Sequence, residues 1–248
     1  MQAVLYICHG SRVKEAGEQA RFFAERCMEK VDAPIQEVCF LELTEPSIEE
    51  GFRRCVERGA TTVAAVPVLL LTAAHAKEDI PQELEKVRLE HPHIPLTYGR
   101  PLGVHQDIVS ILLERIGPER IGEDAMALLV GRGSSDPDVK RDFRQIADLL
   151  QETHPFQRVD VSYLAAAEPT FEQGLAAARE TSHQQIFVVP YLLFTGLLMK
   201  GMERTIRKLA DERIILCEYL GYHDKLERVM VERVREAIDS EPVTSFIK

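Results

Sequence analysis

The chain has 248 residues, which is enough for one or two domains with a sizeable core. Its 40 acidic and 30 basic residues leave a net charge of -10, which argues against nucleic acid as the main partner. A hydrophobic share of 45% and a charged share of 28% are typical of a folded globular protein. No apolar run reaches about 18 residues, and the first residues lack a basic region and a cleavage site, so we expect a cytoplasmic protein without a membrane partner.

Apolar, β-rich runs alternate with segments of helical period in the first half of the chain. Strands are predicted at residues 4–8, 36–41, 62–67 and 94–98. Helices are predicted at residues 14–30, 47–58, 76–90 and 105–116. This alternation predicts a parallel sheet with helices on both faces.

The second half repeats the same order, with strands predicted at residues 127–130, 159–164, 186–190 and 213–217. Matching positions such as Gly10 and Gly133 lie 123 residues apart through the first three strand-helix units, and the offset then falls to 118. The fold class is therefore α/β. We predict two tandem flavodoxin-like halves, each with a four-stranded parallel sheet, related by internal duplication and spanning 1–118 and 125–240.

Three positions differ between the halves in a way that points to chemistry. His9, Glu42 and His75 of the first half correspond to Arg132, Ala165 and Leu198 of the second. Each of the three follows one of the first three strands, whose carboxyl ends are neighbours if the strand order is 2-1-3-4. Two imidazoles and a carboxylate suit a divalent first-row metal and leave coordination positions open. Taken singly, His9 is explained as a structural cap and Glu42 as a solvated carboxylate, while His75 fits a structural histidine as well as a ligand, so the metal site depends on all three together.

Two Gly-Ser turns precede predicted helices. N–H groups at such turns, together with the helix dipole, favour an anion, although an ordinary capped turn explains the same residues. Other histidines and a cysteine favour structural roles: His91 and His93 lie in a proline-containing turn, His105 and His223 at matched helix starts, and Cys8 on the opposite side of its strand from His9.

Several common functions have no matching motif. The five cysteines form no CxxC pair, which argues against a structural zinc site or a disulfide framework. No GxxxxGK[ST] or GxSxG motif is present, so ATP hydrolysis and the usual α/β serine hydrolase chemistry are not indicated. A histidine phosphatase would have Arg-His-Gly where this chain has Cys8, His9 and Gly10.

Four segments carry a family resemblance: ICHGSR at the first strand, FLELTEPS at the second, VPVLLLTAAHAKEDIP at the third and VGRGSSDPDVKRD at the start of the second half. With them the chain resembles the sirohydrochlorin chelatases, the class II chelatases of siroheme and cobalamin synthesis, and is most similar to their long two-half form in Bacillus-type organisms, the siroheme ferrochelatases. The resemblance implies insertion of Fe²⁺, or of Co²⁺ in the cobalamin members, into sirohydrochlorin without ATP. It also implies that His9 and His75 are catalytic and bind the metal together with Glu42. The metal is then a substrate, and no tightly bound cofactor is expected.

Sirohydrochlorin carries many carboxylates, which the two Gly-Ser turns and their arginines are expected to attract. The apolar loop before His75 is expected to lie against the macrocycle, with the second half forming the opposite wall of a cleft. The predicted substrate-binding residues are Gly10, Ser11, Arg12, Glu45, Leu70, Leu71, Thr72, Ala73, Ala74, Arg132, Gly133, Ser134 and Ser135.

In the expected mechanism, His9 and His75 hold the metal as neutral imidazoles and take up protons as it moves to the ring, while Glu42 adds negative charge and accepts protons. The alternatives are a sirohydrochlorin cobaltochelatase, a tetrapyrrole or metal carrier that binds without catalysis, and a flavodoxin-like protein that binds FMN. The expected partners are sirohydrochlorin and a divalent metal ion, and we expect a monomer rather than a dimer.

Overall fold

The computed structural model describes residues 1–154 and 156–246. Its first sheet consists of β1 (Gln2–Cys8), β2 (Ile35–Phe40), β3 (Thr62–Pro67) and β4 (Leu96–Tyr98). Its second sheet consists of β5 (Ala125–Gly131), β6 (Arg158–Tyr163), β7 (Gln185–Tyr191) and β8 (Ile214–Leu216). The strands of both sheets are parallel, in the orders β2-β1-β3-β4 and β6-β5-β7-β8, so the predicted strand order is confirmed in both halves.

Eight α-helices connect or follow these strands within the described residues. They are α1 (Lys14–Met28), α2 (Ile48–Glu57), α3 (Ile80–Glu90), α4 (Gln106–Ile116), α5 (Pro137–Thr153), α6 (Phe171–Arg179), α7 (Leu197–Leu209) and α8 (Asp224–Ile238). Across the described ranges, no helix has both the length and the apolar character needed to cross a membrane.

The predicted single helix at residues 76–90 is wrong in one respect. A π-helical turn at His75–Asp79 precedes α3, and α3 itself begins at Ile80. Pro81 is incompatible with an unbroken α-helix at this point, because a proline has no N–H for the preceding helical turn and its ring clashes with the carbonyl four residues earlier. The wider π turn accommodates that proline within a continuous helical segment.

The strand pleat divides the core of the first sheet between two faces. Ala3, Leu5 and Ile7 of β1 belong to one buried cluster with Phe52 of α2 and Leu84 of α3. The intervening residues of β1 are also buried, on the side of α1, where the Cys8 Sγ lies 3.9 Å from the carbonyl oxygen of Ala20. β1 is therefore covered on both sides, as expected for a central parallel strand.

The chain forms two compact units whose limits differ from those of the duplicated halves. One unit contains Met1–Gly103 and the chain from Leu226 onward, and the other contains Val104–Lys225. The last helix of each half therefore packs in the unit built on the other half's sheet. In the first unit, Thr97 Oγ1 donates to the carbonyl of Ala237 on α8 at 2.6 Å. The predicted boundaries of 1–118 and 125–240 instead follow the duplication, which does not show which sheet α4 and α8 cover.

A buried carboxylate joins α8 to α1 within the first unit. Glu227 is 1% exposed and forms ion pairs with Arg26 and Lys30 of α1. Burial raises the pKa of Glu227, but the hydrogen bonds from the two basic side chains outweigh it, so the pKa lies below its ordinary value. The carboxylate is consequently charged at neutral pH and holds the helix that the second half contributes.

Candidate metal centre

Two histidines meet beside the carboxyl ends of β1 and β3. These strands are direct neighbours, with Ile7 paired to Pro67, so the segments that follow them leave the sheet at the same edge. His9 is the first residue after β1, and His75 begins the π turn beyond β3. Their Nε2 atoms lie 2.9 Å apart, and their ring centroids are 4.4 Å apart with the planes nearly perpendicular at 87°.

Oxygen atoms lie behind both imidazoles. His75 Nδ1 is 2.7 Å from Asp79 Oδ2, and His9 Nδ1 is 3.1 Å from the carbonyl oxygen of Gly10. A carbonyl or carboxylate oxygen can only accept a hydrogen bond, so these partners assign the hydrogen of each neutral ring to Nδ1. Both Nε2 atoms, which lie 2.9 Å apart, then carry a free lone pair.

Glu42 lies next to the pair but on its outer side. Its backbone N–H donates to the carbonyl of His9 at 3.1 Å, which extends the β1–β2 pairing beyond the strands. Its Oε1 is 3.7 Å from His9 Nδ1, and the side chain is 50% exposed. Glu42 therefore adds negative charge behind His9 rather than completing a ring of donors. Among the described residues, no three His, Cys, Asp or Glu side chains surround a common point.

Asp79 is the site residue that sequence reasoning missed. It lies four residues after His75 on the same π turn, and its carboxylate is 46% exposed. Metal-binding histidines commonly donate their second ring N–H to such a carboxylate, which fixes the ring orientation. The i, i+4 spacing of His75 and Asp79 in a helical segment was the available signal.

The Gly10 turn brings the end of β1 against the segment after β2. Gly10 has a φ of +94°, and a Cβ at this position would lie 1.7 Å from the carbonyl oxygen of Glu42. The N–H of Ser11 donates to Thr44 Oγ1 at 3.1 Å, and Ser11 Oγ accepts from the N–H of Val13 at 3.0 Å. These two N–H groups are therefore already bonded within the protein, which reduces the number free to hold a substrate anion.

The second unit repeats this turn without the histidines. Gly133 has a φ of +90°, and its Cβ would lie 1.9 Å from the carbonyl of Ala165. Ser134 Oγ accepts from the N–H of Asp136 at 3.1 Å, while Arg132 and Ser135 are exposed. The turn geometry thus belongs to the duplicated scaffold, as the matching glycines indicated, and the imidazole at position 9 is an addition in one half.

The other predicted substrate-binding residues lie around the same edge of the first sheet. Arg12 is exposed, and Glu45 Oε2 accepts from the N–H of Ser47 at the start of α2 at 3.1 Å. The loop between β3 and the π turn is anchored at its base by the N–H of Gly103, which donates to the carbonyl of Leu70 at 2.8 Å. The loop residues of partial or full exposure are Leu70, Leu71, Thr72, Ala73 and Ala74.

Three residues for which the sequence favours structural roles, Cys8, His105 and His223, have structural environments. Burial raises the pKa of the Cys8 thiol to about 12, so the side chain stays a neutral thiol beside His9. Nδ1 of His105 accepts from the N–H of Asp107 at 3.1 Å, and His223 makes the same cap to Lys225 at 3.2 Å. The predicted helix-start role of these two matched histidines is confirmed.

Together these features define a class: a duplicated α/β protein with a pair of facing histidines at the strand ends of one half. The sequence model of the CbiX family matches residues 3–119 and again residues 126–237, and the chain belongs to this family. The sirohydrochlorin ferrochelatase of Priestia megaterium is 53% identical over 244 residues, which cover 97% of this chain and 92% of that protein. The sirohydrochlorin cobaltochelatase of the same organism is 34% identical over 251 residues, covering 97% of this chain and 81% of that protein. The solved structure of SirB from Bacillus subtilis with Fe³⁺ has a TM-score of 0.89 and 44% identity, and the match covers 96% of each chain.

Proposed function

We propose that this protein is a sirohydrochlorin ferrochelatase, which inserts Fe²⁺ into sirohydrochlorin to give siroheme without ATP. The observation that carries the proposal is the pair of Nε2 atoms 2.9 Å apart, each on a ring whose Nδ1 faces an oxygen. Two unprotonated Nε2 atoms at this distance repel each other unless a proton lies between them or both bind one metal cation placed to one side of the line that joins them. The nearby carboxylates of Glu42 and Asp79 favour the cation, because two negative charges match a divalent metal.

The spacing of the pair suits metal coordination. Two nitrogens bound at about 2.1 Å and at a right angle to each other are separated by about 3.0 Å. The observed 2.9 Å between His9 and His75 is close to this value. A metal held on one side by two imidazoles keeps its remaining positions for water and then for the pyrrole nitrogens, so it is bound firmly enough to be positioned and loosely enough to be transferred.

The same residues account for the protons of the reaction. Insertion of a divalent metal displaces two protons from the pyrrole N–H groups of the tetrapyrrole. As the metal moves to the ring, each Nε2 regains a free lone pair and can accept one proton. The carboxylates behind the rings, Asp79 at 2.7 Å and Glu42 at 3.7 Å, stabilise the imidazolium ions that form and offer a route to solvent.

Cobalt insertion is the second candidate, because a relative named as a cobaltochelatase is similar over nearly the whole chain. Imidazole and carboxylate ligands bind Co²⁺ more tightly than Fe²⁺ under the usual affinity order, so the ligand set alone does not select iron. The higher identity to the ferrochelatase supports iron. Substrate carboxylates would be held by Arg12 and the residues around it. The cytoplasmic location and the monomeric state expected from the sequence stay predictions.

Anaerobic incubation with sirohydrochlorin and Fe²⁺ or Co²⁺, followed by absorption spectroscopy, tests the proposal. The protein should accelerate insertion over the spontaneous reaction, and His9→Ala and His75→Ala should each reduce the rate by at least about a hundredfold while tetrapyrrole binding persists. His93→Ala, which removes a histidine from an exposed turn of the same unit, is the matched control and should retain full activity. A rate equal to the spontaneous one would instead favour a carrier, and full activity of His75→Ala would refute the assigned site.

A further inference from the structure

The π turn that carries His75 contains one residue more than the matching segment of the second unit. Buried Ala76 and Met199 lie 123 positions apart, but buried Ile80 and Met202 lie only 122 apart. A π turn is the usual result of inserting one residue into an α-helix. The extra residue is therefore accommodated between Ala76 and Ile80, directly after the histidine.

The π turn leaves the carbonyl of Ala76 without a backbone donor. The N–H of Ile80 donates to the carbonyl of His75, which is the i to i+5 pattern of a π-helix. The next bond of this pattern would join the nitrogen of residue 81 to the carbonyl of Ala76, but residue 81 is proline and has no N–H. The hydroxyl of Tyr98 donates to the Ala76 carbonyl instead, at 2.9 Å.

Tyr98 is built into the sheet rather than placed on a mobile loop. It is the last residue of β4, is paired in register with Ala65 of β3, and its ring packs against Phe246 with centroids 5.9 Å apart. Burial raises the pKa of Tyr98 above its ordinary value, so the phenol keeps its proton and remains a donor. The first turn after His75 is thus fastened to the edge strand by one directional bond.

At the matched positions of the second unit, all of them within the described residues, no part of this arrangement is present. Its α7 runs unbroken over Leu197–Leu209 and contains no proline. The residue that matches Tyr98 by strand register is Leu216, which pairs with Val188 as Tyr98 pairs with Ala65. The π turn, the proline and the tyrosine therefore occur together, and only in the half that has the histidines.

We infer that Tyr98 is a positioning residue for His75. Its hydroxyl donates to the Ala76 carbonyl, which has no backbone donor because residue 81 is proline. This bond holds the π turn in the conformation that places the His75 Nε2 next to His9. This inference rests on the proposed function, since it assumes that the facing pair binds the metal. Tyr98 contacts neither metal nor tetrapyrrole in this role. It acts only through the backbone of Ala76, the residue next to His75.

Tyr98→Phe tests the inference because it removes the hydroxyl and keeps the ring. Co²⁺ titration of the metal-free protein, followed by absorption, should show affinity about tenfold lower than in the wild type, as expected for the loss of one positioning hydrogen bond. In the insertion assay the KM for metal should rise while the KM for sirohydrochlorin is unchanged. Tyr191→Phe is the matched control: its hydroxyl is buried and has no hydrogen-bond partner among the described residues, so its removal should leave Co²⁺ affinity unchanged.

A double variant separates positioning from general stability. Pro81→Ala in the Tyr98→Phe background supplies a backbone N–H that can reach the Ala76 carbonyl in the i to i+5 pattern, so Co²⁺ affinity should recover at least in part. Wild-type affinity in Tyr98→Phe, or a loss that Pro81→Ala does not reduce, would overturn the inference. If the wild type binds Co²⁺ but inserts no metal, the proposed function fails, and the affinities of these variants still decide the role of Tyr98.

Discussion

Removing the carboxylate of Asp79 should weaken metal binding about tenfold without unfolding the protein. The perturbation is Asp79→Ala, which deletes the acceptor 2.7 Å from His75 Nδ1 and frees that ring to turn or to change tautomer. A hydrogen bond to a charged group is worth about 1.5–3 kcal/mol, and the 46% exposure of Asp79 places its contribution near the lower limit through solvent screening. About 1.4 kcal/mol corresponds to a tenfold change in the dissociation constant, which is the lower end of the usual effect of losing such an outer carboxylate.

Anaerobic Co²⁺ titration at fixed pH measures this loss directly, with circular dichroism to confirm that each variant is folded. Asp79→Asn should give an intermediate affinity, because its amide oxygen can still accept from Nδ1–H but carries no charge. Glu78→Gln is the matched control, since it removes one negative charge from the same exposed turn without contact to His75. Equal losses in Glu78→Gln and Asp79→Ala would show that the effect is only electrostatic and would refute the tautomer argument.

Two further predictions concern the scaffold. Gly10→Ala should lower the free energy of unfolding, measured with denaturant, by at least about 2 kcal/mol more than Gly103→Ala does. Both glycines have positive φ, but only at position 10 would the added Cβ lie 1.7 Å from the Glu42 carbonyl oxygen. Equal costs for the two variants would contradict the predicted clash. Glu227→Gln should cost about 1.5–3 kcal/mol at pH 7, because the buried carboxylate makes charge-assisted hydrogen bonds to the partly exposed Arg26 and Lys30. Since the pKa of Glu227 is lowered in the folded state, this difference should shrink as the pH falls below about 4. A difference independent of pH would contradict the ion-pair argument.

The strand order and most element positions follow from sequence patterns because they depend on local alternation. Residues 62–67 were predicted as a strand with the observed limits, and the buried faces of β1 reflect the period-two pattern of its side chains. The internal duplication supports the same prediction from a second copy, and the matched glycines Gly10 and Gly133 have nearly the same φ, +94° and +90°. The proximity of His9 and His75 was also an expectation from strand order, because both follow neighbouring strands.

Other features depend on contacts between distant parts of the chain and have no local pattern. The exchange of α4 and α8 between units could not be read from their sequences, because the apolar pattern of a helix predicts a buried face but not the sheet on which that face packs. The position of Glu42 outside the histidine pair depends on its own side-chain direction, which the strand order does not determine. Asp79 and the π turn had a local signal in the histidine spacing and in Pro81, but the bond from Tyr98 that completes the turn comes from a strand 22 residues away.

The sequence by itself therefore determined the α/β class, the two repeats, the strand order and the residues that distinguish one repeat from the other, because these are matters of periodicity and internal comparison. Only the tertiary structure decided which nitrogen of each imidazole faces the other ring, which oxygens lie behind them and which helix covers which sheet. Those features are set by packing and by directional hydrogen bonds between segments far apart in the chain, and the proposed metal transfer depends on this geometry rather than on the presence of two histidines alone.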